Sequence, residues 1–131
     1  MTDLLTSESI IFAIISALFA FWFPNMNALI NIKMPGHIDD KKPVINDIDT
    51  ILKTKVRTLL LIEIISSAIY FPDSIRILIE SCKLLISEGF IVYFQNYDAV
   101  STSYVFFCIL LITLAIKTYN LRKRLVLKKI E

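Results

Sequence analysis

The charge-free runs constrain this chain more than any other feature. Residues 9–32 are 24 consecutive positions without a charged side chain, and residues 99–116 are another 18. Between them, residues 56–71 read VRTLLLIEIISSAIYF, an apolar run with one carboxylate, Glu63, in its middle. Spanning a bilayer as an α-helix takes roughly 20 apolar residues. The chain is 56% hydrophobic with mean hydropathy +0.66, against roughly 45–50% apolar in soluble domains. A soluble domain of 131 residues could not hide that much apolar surface. The runs have helix length and no strand alternation, so one all-α integral membrane domain is expected rather than a barrel.

The N-terminal segment MTDLLTSES carries two acids and no base, so it lacks the basic region of a secretory signal and the first span (about 9–30) is expected to be retained. Trp22 and Phe23 suit an aromatic belt at the far end of the span. Pro24 is expected to kink it. Ser9, Ala13, Ser16, Ala20, Pro24, Asn27 and Asn31 recur at steps of 3 or 4 and share one side of a helix. That small and polar side is expected to meet protein or water, with the Ile, Leu and Phe side turned to lipid. Ser16, Asn27 and Asn31 are its candidate polar positions.

Residues 33–50 read as a cytoplasmic loop with a turn at Pro35-Gly36. His37 beside Asp39 and Asp40 is a poor ligand set, so no metal is expected. Asn46 and Asp49 suggest an N-cap, with the second helix beginning near Asp47 and its span at about 52–71. In this helix Glu63, Ser67 and Tyr70 share a face. A charged group at bilayer depth costs about 2.5–3.5 kcal/mol on insertion scales, which makes Glu63 a functional candidate; the plainer alternative is a hydrogen bond to Asn27 or Ser16.

Pro72-Asp73-Ser74 is expected to end that helix. Residues 74–94 then give an amphipathic helix with a polar stripe of Asp73, Arg76, Glu80, Lys83 and Ser87 and an apolar face of Ile75, Leu78, Ile79, Cys82, Leu85 and Ile86. Such a helix is expected to lie in the interface, with Gly89 as its C-cap. The last span (about 99–118) follows an Asp98 cap and continues into a basic tail, 117–131. There Arg122, Lys123, Arg124, Lys128 and Lys129 are candidates for binding anionic headgroups or a cytoplasmic protein partner.

Six of the fourteen Lys and Arg lie at 33–57, six at 117–129, and only Arg76 and Lys83 between the second and last spans. Placing both clusters in the cytoplasm requires an even number of crossings between them. Three transmembrane helices, N-terminus out and C-terminus in, are therefore expected; a four-span bundle is the alternative. Net charge of +2 gives no reason to expect nucleic acid. Isoleucine, used 23 times, and the preference for lysine over arginine suggest AT-rich coding and hence a bacterial or mobile-element source, and the expected location is the bacterial inner (cytoplasmic) membrane.

No catalytic triad, HExxH or phosphate-binding glycine loop is present, so neither an enzyme nor a cofactor is expected. The first functional expectation is a homo-oligomer that conducts ions or perturbs the bilayer, as a defence or lysis effector, with Glu63 and the small stripe facing a common path. The layout of three spans with a basic inside tail is similar to that of one class of phage holins, in layout alone. The second expectation is a membrane-embedded binding protein, of the bacteriocin-immunity type or a defence subunit recruiting a cytoplasmic partner.

Overall fold

The computed structural model describes residues 2–130 and is all-helical, with no strand among the described residues. Glu131, last residue of the expected tail, lies outside them. In chain order the helices are α1 (Thr2–Asn31), α2 (Ile38–Ile51), α3 (Arg57–Gln95) and α4 (Ala99–Ile130), with a π-helical turn, Leu52–Val56, joining α2 to α3. Ile51, Leu52, Val56 and Arg57 all keep right-handed helical dihedrals, so α2, the π turn and α3 form one continuous rod.

Three rods make the fold. α3 and α4 run antiparallel: Tyr70 meets Tyr104, Glu63 meets Thr118, and Asp49 meets Lys129. α1 runs parallel to α4, with Phe12 against Phe107 and the Phe19–Phe23 pair beside Lys117 and Leu121. One core cluster holds Ile15, Leu59, Tyr70, Ile77, Tyr104 and Leu111. The second holds Met26, Leu29, Ile48, Val56, Leu121 and Leu125. This arrangement gathers twelve of the fourteen basic residues at one end of the bundle.

Two helices are long and apolar enough to cross a membrane: Leu5–Asn31, mean hydropathy 1.8, and Ala99–Ile130, mean hydropathy 2.3. Only 11% and 22% of their most apolar windows are buried, unlike the enclosed core helix of a soluble protein. Phe21, Ile69, Phe106 and Ile109 are among the large apolar side chains left facing outward.

Several expectations are corrected. The helix does not end at Pro72: α3 passes through it and stays helical as far as Glu88. A mid-helix proline costs about 3 kcal/mol, but Tyr70 and Ile77 on either side of it are buried in the core shared with α4. Packing on α4 therefore outweighs the local break. The geometric break falls at Gly89, whose φ of 85° and ψ of 174° fold the short segment after it back toward α4. Residues 74–88 are accordingly a continuation of α3 rather than a separate interfacial helix, though Leu78, Ile79 and Ile86 stay exposed as the amphipathic pattern implies.

The expected loop at 33–50 is helical from Ile38 onward. Asn46 and Asp49 lie inside α2, and His37 occupies the N-cap position without a side-chain bond. α1 is also turned relative to expectation. Its inner face is Glu8, Ile15, Trp22, Met26 and Leu29, while Ala13, Ala20, Pro24, Asn27 and Asn31 are exposed. The bulky side packs because the groove between α3 and α4 needs volume, which Phe12, Phe19 and Trp22 supply. The Asp98 cap is present: its carboxylate accepts from the Val100 N–H at 2.9 Å and from the Ser101 hydroxyl at 2.5 Å. The tail continues as helix to Ile130, with Leu121 and Leu125 buried.

Candidate functional site

Between Leu60 and Ile77, the buried positions of α3 are Glu63, Ser66, Tyr70 and Ser74. Ser67 is half-buried beside them. The steps of 3 and 4 put these polar groups on one helical face, and that face points into the bundle. Glu63 is completely enclosed. Its Oε1 accepts a 2.9 Å hydrogen bond from the Thr118 hydroxyl on α4, while Oε2 has no partner among the described residues. The Ser67 Oγ is likewise enclosed and without a partner among the described residues. The Ser74 hydroxyl instead donates to the Tyr70 carbonyl at 3.1 Å.

Tyr70 packs edge-on to Tyr104, ring centroids 5.9 Å apart. Tyr104 is 1% exposed and its hydroxyl has no partner among the described residues. It stands within electrostatic reach of Glu8 on α1. Glu8 is fully enclosed as well, with neither carboxyl oxygen hydrogen-bonded among the described residues. Measured along α4 from Tyr104 to Thr118, the two carboxyl stations are about 21 Å apart at about 1.5 Å per residue. Every side-chain atom that is buried without a partner among the described residues belongs to this seam.

The sequence-derived candidates divide sharply. Glu63, Ser67 and Tyr70 do share the interior face. Glu63 bonds Thr118 rather than Asn27 or Ser16, and Asn27 and Asn31 stand exposed on another side of α1. Ser16 is half-buried on α1, so of the three polar candidates of that helix only Asn27 and Asn31 stand away from Glu63 within one protomer. Arg122, Lys123 and Arg124 are exposed on α4, Lys128 is half-buried, and Lys129 holds both oxygens of Asp49 at 2.9 Å. The tail is thus part of a folded end rather than a free arm.

Sequence reasoning missed Glu8, Ser66, Tyr104 and Thr118. The signal for Glu8 was spacing: it precedes Ile15 by seven residues and Trp22 by fourteen, which keeps one helical face. Counting the first span from Ser9 left it outside. His37, Asp39 and Asp40 make no metal cluster, and Asp39 pairs with Lys42 at 2.9 Å. No family model matches the chain, and neither a curated protein nor a solved structure matches it.

Proposed function

We propose that this chain is a three-span, non-enzymatic protein of the bacterial inner membrane, N-terminus out and C-terminus in, that moves protons along the seam inside its own three-helix bundle. The observation that carries the reading is the pair of fully enclosed carboxyl groups, Glu8 and Glu63, with hydroxyls of Tyr104, Tyr70, Ser67 and Ser66 between them. Groups of this kind are expensive inside a membrane protein and mark proton relays and ion paths. The packing selects the ion. Leu59, Tyr70, Tyr104 and Leu111 fill the interior to 5% exposure or less, which leaves no standing pore for a hydrated metal cation. A proton needs only a chain of exchangeable groups and the occasional bridging water.

The third span in this reading is the stretch of α3 that follows Arg57. Glu63 lies six residues beyond that arginine, about 9 Å into the apolar layer at about 1.5 Å per residue. The charge distribution supports the orientation, with twelve basic residues at the end assigned to the cytoplasm. Self-association is part of the proposal: α1 leaves Ala13, Ala17, Ala20 and Ala28 exposed, and small residues let helices approach closely in lipid.

The test is proton uptake by sealed proteoliposomes loaded with a pH-sensitive dye, driven by a potassium diffusion potential. Uptake is expected from the wild type and is expected to fall at least tenfold in both Glu8→Gln and Glu63→Gln. Oligomer mass is measured in the same preparation. A well-inserted wild type that takes up no protons, or variants that match it, would refute the relay. The binding-protein reading is favoured by the exposed Lys123 and Arg124; it predicts an unchanged Glu63→Gln and loss of partner association on Lys123→Glu/Arg124→Glu.

A further inference from the structure

Away from the polar seam, a groove of about 570 Å³ runs between α3 and α4 at the basic end. Lys53, Arg57 and Arg122 line it together with Leu60, Leu61 and Ile64. On the rod, positions 53, 57, 60, 61 and 64 follow helical steps and share one face. The cations are at its lower part and the leucines and isoleucine above them, where Leu61 and Ile64 are 49% and 51% exposed. One acid, Asp49, also lines the groove, and Lys129 occupies both of its oxygens. Lys53, Arg57 and Arg122 have no ion-pair partner among the described residues.

Three uncompensated cations in one groove repel one another and attract an anion. A small soluble anion would neutralise them and leave the apolar wall above uncovered. An amphiphile with an anionic head satisfies both halves. Guanidinium groups hold phosphate oxygens through two parallel N–H bonds, and an acyl chain fits a wall of Leu60, Leu61 and Ile64. We infer that this groove binds one anionic phospholipid, its phosphodiester between Arg57 and Arg122 and one acyl chain against Leu60, Leu61 and Ile64. The inference rests on the membrane placement proposed above, but not on proton movement.

The test is native mass spectrometry of the full chain released from detergent and titrated with phosphatidylglycerol, phosphatidylcholine or inorganic phosphate. One phosphatidylglycerol per chain is expected to survive release, with phosphatidylcholine held far less. At about 1 kcal/mol per cation near a membrane surface, Arg57→Gln is expected to weaken phosphatidylglycerol binding about fivefold, and Arg57→Gln/Arg122→Gln about thirtyfold. Both arginines are exposed, so the variants should fold; helicity checks this. Arg57→Lys, which keeps the charge and loses the fork, is expected to fall between wild type and Arg57→Gln. Lys83→Gln, at the opposite end, should bind as wild type does. Equal retention of phosphatidylcholine, or unchanged binding in the double variant, overturns the inference. So does displacement of the lipid by inorganic phosphate or by polyglutamate, which would reassign the groove to a soluble anion or an acidic protein segment. A chain that does not partition into bilayers overturns both this inference and the proposed function, whereas absent proton flux overturns only the latter.

Discussion

Thr118→Val isolates the hydrogen bond that ties α4 to Glu63. Valine keeps the shape of threonine and removes the hydroxyl. Thr118 is fully buried, so no bulk solvent replaces the lost donor. The bond is 2.9 Å long, and the second carboxyl oxygen of Glu63 already lacks a partner. In a water-soluble core, stranding such an acceptor costs about 1–3 kcal/mol. Inside membrane bundles, measured couplings average about 0.6 and reach about 1.7 kcal/mol, because a helix released into lipid finds other partners. In the proposed membrane setting the second range applies, and a loss of about 1 kcal/mol is expected for Thr118→Val. Glu63→Met removes the acceptor together with the one Glu63 oxygen that has no partner among the described residues. In a cycle of Thr118→Val, Glu63→Met and the double variant, the coupling should therefore be about 0.6–1.7 kcal/mol. Reversible unfolding in mixed micelles, followed by circular dichroism, measures it. A coupling inside the ordinary additivity scatter of about 0.3–0.5 kcal/mol would show that the bond does not hold α3 against α4, and the interior seam would lose its structural anchor.

Two further outcomes follow from the turn at the opposite end of the bundle. Gly89 has open space around its Cα but a φ of 85°. Gly89→Ala is thus expected to destabilise by about 1–3 kcal/mol through backbone strain alone, read as a lower unfolding midpoint, and an unchanged midpoint would sink the strain argument. The Asp98 cap gives a pH dependence. The Ser101 hydroxyl, and then the Val100 N–H, hold its carboxyl below the ordinary carboxylate value. A depressed folded-state value means the cap's contribution is complete above the unfolded value and is lost as pH falls through the folded one. The thermal midpoint should then drop as pH falls below the ordinary carboxylate value of about 4, and Asp98→Asn should reduce that slope.

Legibility varied by residue for physical reasons. The shared face of Glu63, Ser67 and Tyr70 could be read because helical periodicity alone places residues 4 and 3 apart together. The Asp98 cap could be read because capping is local, needing only an acid one residue before the helix and free N–H groups after it. Pro72 misled because its cost is local while its compensation, Tyr70 and Ile77 against α4, is not. The face of α1 misled for a different reason. In lipid, apolar transfer does not tell a small face from a bulky one, so either could pack. Volume decided, and volume is set by the spacing of two helices remote in sequence.

The composition and the order of charges were enough to determine an all-helical chain with long apolar runs and two separated basic clusters. These are properties of runs and counts, and every run carries its own backbone hydrogen bonds. Only the tertiary structure decided that the basic clusters meet, through Lys129 and Asp49. It alone set Thr118 against Glu63 and enclosed Glu8 beside Tyr104. Such pairings depend on which faces three rods turn toward one another. That choice is made by the fit of side chains 55 or 80 residues apart, which no local pattern encodes.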